Sequence, residues 1–336
     1  MEGLKLLNQG GTMRKFFLLI FSVIFCFAGC APHFHLDFLG KEKIQEVVLQ
    51  KSEAREKILI LDVSGPIFSS LQSGVFSKEG DILSQIYYRL VKASEDRRVK
   101  AVILRLDTPG GEVTTSDILY NEILKFKEKT RIPVVGLMMG LAASGGYYVA
   151  SACDWIIAHP STITGSIGVI SVFLNLEELL AKIGVKLNVI KSGEMKDSGS
   201  ALRALTDEEK KIFMDIVDEH YQKFLNVVHQ NRKNRLSREE LEKIADGRVY
   251  TAQQAYAHKL VDEIGYFDSA LNKALSLAAL RKAKVIAYTY YPARKTNIYA
   301  TKLENPQLFE GKKLEDLFLS LKSGFYYLWL PQANQD

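Results

Sequence analysis

The sequence predicts an α/β protein with a parallel sheet and a helix-rich C-terminal half. Short apolar runs typical of strands alternate with helical patterns from about residue 58 to residue 172, and the pattern from 206 to about 279 is mainly helical. The content of 47% hydrophobic and 25% charged residues is that of a globular chain that buries a core. Alternating strands and helices are typical of βαβ units, whose strands lie parallel in one sheet.

The first half of the pattern predicts three strands separated by two helices. The strands are expected at 58–63, 101–106 and 133–137, and the helices at 81–94 and 116–127. A third helix is expected to begin near Ser144. Short strands are then expected at 155–158, 167–172 and 187–190.

The second half is predicted from helix signals. Asp207, Glu208 and Glu209 supply an acidic first turn to a long amphipathic helix that ends near residue 230. Further helices follow to about residue 279, and a last strand is expected at 284–290. The tail combines apolar residues at helical spacing over 314–321 with an apolar run at 325–330. Packing on its own core or on a sister subunit is favoured over contact with a membrane surface.

The N-terminus has the pattern of an export signal. Arg14 and Lys15 precede an apolar run over 16–28, which is shorter than the roughly 18 residues of a spanning helix. Residues 27–30, Phe-Ala-Gly-Cys, resemble the lipobox of bacterial lipoproteins, so Cys30 is a candidate lipidation site, with an uncleaved signal anchor as the alternative. The predicted organisation is an export signal at 1–30, a linker at 31–55, a catalytic domain at 56–280 and a C-terminal strand with an apolar tail at 281–336.

Charge and cysteine content argue against several classes of function. The net charge of +5 is spread over 44 basic and 39 acidic residues, which indicates a mixed-charge surface and no nucleic-acid partner. Of the three cysteines, Cys26 and Cys30 lie in the signal, so Cys153 has no partner for a disulfide. The six histidines do not pair with cysteines at ligand spacing, and no metal site or cofactor is expected.

Ser144 is a candidate nucleophile. It lies among small residues in Leu-Ala-Ala-Ser-Gly-Gly-Tyr over 141–147, between a predicted strand and a predicted helix. The glycines let the backbone approach a substrate, and a helix start directs N–H groups at developing negative charge. Ala142 departs from the G-x-S-x-G pattern, and a helix-packing patch of small residues is the alternative.

A nucleophilic serine needs a base, and a lysine fits the sequence better than a histidine. The histidines of the helical region stand among charged residues, and His159 precedes Pro160 in a turn-like stretch. A lysine amine acts as a base when burial lowers its pKa toward neutrality. Lys196 lies in a polar, glycine-punctuated loop over 191–200, and an ordinary loop lysine is the alternative.

A third element is Leu-Asp-Thr-Pro-Gly-Gly at 106–111. Here a predicted strand runs into two successive glycines, whose N–H groups can face an oxyanion. A simple tight turn between a strand and a helix is the alternative.

Five motifs together resemble the signal peptide peptidase A family over roughly residues 56 to 280. In order they are D-T-P-G-G at 107–111, A-A-S-G-G-Y-Y at 142–148, T-G-S-I-G-V at 164–169, K-S-G-x-x-K-D at 191–197, and G-R-V-Y-T with its following Q-A at 247–255. The resemblance implies a fold related to the crotonases and the Clp proteases, with a βαβ superhelical core. It also implies a serine peptidase with a Ser/Lys dyad and no cofactor.

The resemblance assigns roles residue by residue. Ser144 matches the nucleophile, and Lys196 rather than Lys191 matches the base. Ser166 would orient the lysine amine. The N–H groups of Gly111 and Gly145 would form the oxyanion hole.

The same resemblance implies the setting and the partners. Substrates would be remnant signal peptides and other extended apolar peptides, and Arg14 and Lys15 place the catalytic domain outside the cytoplasm by the positive-inside rule. The enzyme would be tethered to a membrane by its N-terminus. It would be a homo-oligomer, a ring of about eight subunits with active sites shared between neighbours.

Two other functions compete with this prediction. A crotonase-type acyl-CoA hydratase or thioesterase could use a related fold, but CoA is a cytoplasmic cofactor and the chain carries an export signal. A catalytically idle lipoprotein scaffold is the second rival. The presence of both Ser144 and Lys196 argues against it.

Overall fold

The computed structural model describes residues 44–69, 82–289, 297–298 and 324–329. The predicted export signal with Cys26 and Cys30, and the helically spaced residues of the tail at 314–321, lie outside the described residues. Within the described ranges, no helix has both the length and the apolar character needed to cross a membrane.

Nine of the described strands form one large sheet. Its main path runs β1-β11-β2-β3-β5-β6-β10, with β7 beside β5 and β9 beside β7. The pairs from β11 to β10 along this path are parallel, as is β5 with β7, whereas β1 with β11 and β7 with β9 are antiparallel. The strands are β1 Gln45–Gln50, β2 Lys57–Ser64, β3 Val99–Thr108, β5 Val134–Ala143, β6 Trp155–Ala158, β7 Ile163–Gly165, β9 Val249–Thr251, β10 Glu263–Ile264 and β11 Lys284–Thr289.

A second, small sheet lies at the end of the large one. Its order is β4-β12-β8, and the central strand is antiparallel to both neighbours. These strands are β4 Gly110–Glu112, β8 Ile170–Val172 and β12 Gly324–Leu328. The apolar run of the tail therefore packs on the chain's own core as a strand.

Helices cover both faces of the large sheet. They are α1 Ile82–Glu95, α2 Val113–Thr130, α3 Gly145–Ala150, α4 Glu177–Lys182, α5 Asp207–Arg232, α6 Arg238–Ile244, α7 Ala252–Ala257 and α8 Phe267–Leu277. Thr206 caps α5 in a capping box with Glu209, which explains why the acidic run begins that helix. The described helices after residue 206 confirm the helix-rich C-terminal half.

The core has two layers because both faces of the sheet are buried. In β2, Leu59 and Leu61 pack in one cluster with residues of α1, α2 and α3, while Ile58 and Ile60 pack in another with α8. Alternate side chains of a strand point to opposite faces, so a strand covered on both sides reads as a continuous apolar run. This arrangement confirms the α/β class with a mostly parallel sheet. The Clp-like superhelix stays a prediction.

Three local predictions were wrong. Part of the linker predicted at 31–55 is strand β1, which pairs with β11. The stretch at 187–190 does not form a strand. Its apolar side chains are exposed, and no described strand lies beside it to pair with. The strand predicted at 167–172 begins later, as β8, and a separate strand, β7, precedes it.

Candidate active site

Ser144 lies at a strained turn between β5 and α3. Its φ of 52° and ψ of −115° belong to a region that residues with a Cβ rarely adopt. Its N–H donates to the Gly165 carbonyl at 2.8 Å, and its carbonyl accepts the N–H of Tyr148 at 2.9 Å. The residue is 1% exposed. These bonds hold the serine in a sharp strand-to-helix turn, the geometry that places a nucleophile at the end of a sheet.

The structure brings Ser166 to the same end of the sheet. β7 runs parallel to β5 with Gly165 opposite Ala143, so the two serines follow neighbouring strand ends. Ser166 also has a positive φ, 51°, and its N–H donates to the Arg248 carbonyl at 2.8 Å. Backbone strain at two serines that follow neighbouring strands is typical of a functional site.

The two glycine motifs pack backbone against backbone. An ideal Cβ on Gly110 would lie 2.6 Å from the Gly145 nitrogen, and one on Gly145 would lie 3.2 Å from the Gly110 Cα. A Cβ on Gly111 would lie 2.0 Å from the Ile67 carbonyl oxygen. No side chain fits at these positions, so the Pro-Gly-Gly segment is more than a tight turn. It lies directly beside the backbone that follows Ser144.

Lys196 and Lys191 have different environments. Lys191 is committed to the fold, because its Nζ contacts Asp197 Oδ1 at 2.9 Å and the Glu194 carbonyl at 2.8 Å. Lys196 lies in a 3₁₀ turn, Glu194–Asp197, and is exposed. Among the described residues its Nζ has no hydrogen bond or ion pair, and none joins it to Ser144 or Ser166 within one chain.

An ion-pair network holds the turn that carries Lys196. Arg203 Nη2 lies 2.7 Å from Asp197 Oδ1 and 2.6 Å from Glu209 Oε1. Hydrogen bonds from Arg203 and Lys191 hold the pKa of Asp197 well below its usual 3.8. Hydrogen bonds from Arg203 and from the Thr206 N–H lower the pKa of Glu209 from 4.5 to about 2. The turn is therefore anchored to the start of α5.

We expect acid to loosen this turn selectively. The folded pKa values of Asp197 and Glu209 are depressed, so the stability they contribute is present above their unfolded values of 3.8 and 4.5. The contribution of Glu209 is lost as pH falls from 4.5 toward about 2, and that of Asp197, whose pKa is lowered further, is lost at still lower pH. Hydrogen exchange at residues 191–204, corrected for intrinsic rates, should show protection at pH 5 that is lost near pH 2, earlier than in the strands of the large sheet.

Arg203→Gln is the matched variant for this experiment. It removes the cation that joins the two carboxylates, so residues 191–204 should already exchange rapidly at pH 7 and change little on acidification. Equal protection of the wild-type turn at pH 5 and pH 2 would show that the network does not hold it.

The described histidines do not complete a triad. His159 Nδ1 is 2.8 Å from Ser161 Oγ, and its ring packs edge-on against Tyr266. The rings of His220 and His258 contact aromatic side chains. Within the described ranges no histidine hydrogen-bonds Ser144, and no cluster of His, Cys, Asp and Glu could hold a metal ion. Burial raises the pKa of the Cys153 thiol to about 12, which keeps it in the unreactive thiol form.

Sequence reasoning missed two features of the site. Asp107 Oδ1 accepts the Leu141 N–H at 3.1 Å and so ties the first glycine motif to β5. Its position at the carboxyl end of a predicted strand was the available signal. The second feature is Tyr327, whose buried ring lies against Tyr148 just after Ser144. No local signal in the sequence links residues so far apart.

Comparison with known proteins assigns the family. Residues 126–281 match the model of peptidase family S49. The chain is 38% identical over 251 residues to "Putative signal peptide peptidase SppA" of Enterococcus faecium, covering 75% of this chain and 72% of that protein. The chain belongs to peptidase family S49. The S49 match contains Ser144, Ser166 and Lys196, while Gly111 lies before it.

Other relatives are similar over much of this chain. "Protease 4" of Haemophilus influenzae is 36% identical over 234 residues, which are 70% of this chain and 37% of that protein. "Serine protease SPPA, chloroplastic" of Arabidopsis thaliana is 32% identical over 246 residues, which are 72% of this chain and 35% of that protein. Together with the S49 match, these relatives identify this protein as a serine protease of the signal peptide peptidase A family.

Proposed function

We propose that the protein hydrolyses extended apolar peptides with a Ser/Lys dyad, using Ser144 as nucleophile and Lys196 as general base. The observation that carries the proposal is the strained, buried Ser144 at a strand-to-helix turn, packed against the Gly110–Gly111 backbone. Peptide substrates follow from the names of the relatives, which include a signal peptide peptidase.

In the proposed mechanism the neutral amine of Lys196 removes the proton of Ser144 Oγ as that oxygen attacks a peptide carbonyl. The N–H groups of Gly111 and Gly145 stabilise the oxyanion. Protonated Lys196 then gives its proton to the leaving amine, and an acyl-enzyme forms. Water, deprotonated by the same lysine, then attacks the ester, and protonated Lys196 returns its proton to Ser144 Oγ as the second product leaves.

Two observations support the choice of base. Lys191 is already paired with Asp197, whereas Lys196 has no partner among the described residues. Ser166 directly follows β7, and Ser144 directly follows the neighbouring strand β5, a placement that suits a hydroxyl that orients an incoming amine. Ser166 is therefore proposed as a positioning residue.

We also propose that the dyad is shared between subunits of a ring of about eight. The segment that carries Lys196 has an unusual surface for a free monomer. Helix α4 has no buried residue, and large apolar side chains on and around it are more than half exposed. These are Leu174, Leu179, Ile183, Val189 and Ile190. A neighbouring subunit would cover this surface. Lys196 of one subunit would then lie beside Ser144 of its neighbour.

We propose that the N-terminus tethers the protein to a membrane and that the catalytic domain lies outside the cytoplasm. The sequence pattern of an export signal and the lipobox-like residues that end at Cys30 support a lipid anchor, and remnant signal peptides are the proposed substrates. Mass spectrometry of the mature N-terminus tests the anchor. A lipidated Cys30 supports it, and an intact N-terminus at Met1, or at Met13 if translation starts there, contradicts it.

A fluorophosphonate probe should label the wild-type protein and should not label Ser144→Ala, because the probe reacts with activated serines. Ser151→Ala is the matched control: Ser151 is also buried and follows α3, but its Oγ donates to the Tyr147 carbonyl. That variant should label like the wild type. Labelling that survives Ser144→Ala would reject the nucleophile, and no labelling of the folded wild type would favour the idle scaffold.

A further inference from the structure

Ser116 carries a buried hydroxyl that the proposed mechanism does not use. It lies near the start of α2, four residues after Glu112, the N-cap of that helix. The residue is 0% exposed, and among the described residues its Oγ has no hydrogen-bond partner. A buried hydroxyl without a partner lowers the stability of a folded protein. Its presence therefore points to a role other than in folding.

Other buried hydroxyls near this site have partners. Thr115 Oγ1 donates to Glu112 Oε2 at 2.6 Å, and Ser151 Oγ donates to the Tyr147 carbonyl at 3.0 Å. A bond to the carbonyl four residues earlier, as in Ser151, is a common solution for a serine in helical conformation. Within the described ranges, Ser116 is the one serine or threonine whose hydroxyl is both fully enclosed and unpartnered.

The Ser116 hydroxyl faces the glycine that follows the nucleophile. An ideal Cβ on Gly145 would lie 2.5 Å from Ser116 Oγ, which is closer than a real Cβ approaches a neighbour. The Gly110 Cα lies 3.2 Å from the same point. The N–H of Gly145 is one of the two donors proposed for the oxyanion hole. Ser116 Oγ therefore lies directly beside the backbone that would form this hole.

The same side of Gly145 accommodates a carbonyl oxygen. The Tyr327 carbonyl oxygen lies 3.0 Å from the ideal Cβ position of Gly145, next to Ser116 Oγ. Ser116 makes no hydrogen bond to this neutral oxygen. Catalytic hydrogen bonds are often long before the reaction and shorten when charge develops on the acceptor. A hydroxyl beside the hole can therefore stay unpartnered until an oxyanion forms.

We propose that Ser116 is a third donor to the oxyanion hole, an inference that rests on the proposed function. When Ser144 attacks, the substrate carbonyl oxygen becomes an oxyanion. The Ser116 O–H then donates a hydrogen bond to it beside the N–H groups of Gly111 and Gly145, and the proton stays on Ser116 Oγ. A hydrogen bond to a charged acceptor is roughly twice as strong as one to a neutral acceptor, and a buried site strengthens it further.

Ser116→Ala is expected to slow peptide hydrolysis and to stabilise the fold. The kcat should fall roughly 10²-fold with KM unchanged, because the donor binds only the charged oxygen of the transition state. The Tm should rise by about 2–4 °C, because the variant removes a buried polar group that has no partner. A serine with a purely structural role would give the opposite result, a lower Tm with an unchanged kcat.

Thr115→Val is the matched control, since it removes the adjacent buried hydroxyl, which has a partner. Its Tm should fall, because Glu112 loses a hydrogen bond, and its kcat should stay close to that of the wild type. A peptide aldehyde with the substrate sequence provides a second readout, because it forms a tetrahedral adduct with Ser144. Its affinity for Ser116→Ala should fall by the same factor as kcat/KM, as expected for a mimic of the transition state.

The outcomes separate this inference from the proposed function. A wild-type protein that neither hydrolyses peptides nor reacts with the fluorophosphonate probe would reject the proposed function and the third donor with it. An active wild type whose Ser116→Ala variant keeps its kcat would reject the third donor alone. A variant that loses both kcat and Tm would do the same, because Ser116 would then be a structural residue. Lower kcat, weaker aldehyde binding and a raised Tm together support the assignment.

Discussion

Lys196→Ala is expected to lower kcat for peptide hydrolysis by roughly 10³-fold or more, because loss of one member of a catalytic unit removes most of its rate enhancement. The variant should fold and assemble normally, since Lys196 is exposed and has no partner in the described residues. The measurement is kcat on an apolar fluorogenic peptide, with circular dichroism and gel filtration as checks. Fluorophosphonate labelling should slow in parallel, because the same base activates Ser144.

Lys191→Ala is the matched control, since it removes a lysine from the same loop. Lys191 pairs with Asp197, but Arg203 holds that carboxylate as well, so the turn should persist. We expect a loss of kcat within about tenfold, in line with a partly exposed ion pair that contributes little. A large loss from Lys191→Ala with none from Lys196→Ala would reverse the assignment of the base.

The fold was predictable where burial dictates the sequence pattern. β2, β3 and β5 are buried on both faces and therefore read as continuous apolar runs. β1 was missed because it is an edge strand with no buried residue, and its sequence, Gln-Glu-Val-Val-Leu-Gln, mixes polar and apolar residues. The apolar residues at 187–190 misled the prediction for the opposite reason. They are apolar but exposed in a single chain.

The candidate site was predictable only in part, because its geometry depends on contacts between distant segments. Small residues around Ser144 pointed to a nucleophile turn, but its positive φ is held by a bond to Gly165. Likewise, the contact between Gly110 and Gly145 requires that two strand ends meet. The contact of Tyr327 with Tyr148 joins the tail to the first turn after the nucleophile. Only the folded sheet brings these residues together.

Co-assembly of two inactive variants, Ser144→Ala and Lys196→Ala, is expected to restore activity from near zero to about a quarter of the wild-type value. In a ring with head-to-tail contacts, each shared site takes its serine from one subunit and its lysine from the next. With random one-to-one mixing, half of the subunits supply an intact serine and half an intact lysine, so roughly a quarter of the interfaces are complete. The measurement is peptide hydrolysis after joint refolding, with mixed assembly verified by tagged pull-down.

A second mixture separates the two architectures even if refolding is incomplete. Wild-type chains mixed one-to-one with the double variant, Ser144→Ala with Lys196→Ala, retain about a quarter of the activity if sites are shared, because both neighbours must be wild type. They retain about half if each site lies within one chain. The exposed apolar residues of the segment that precedes Lys196 favour a retained activity of about a quarter, since large exposed apolar patches mark interaction surfaces. Proven co-assembly with half activity here, and none in the first mixture, would place the whole dyad in one subunit.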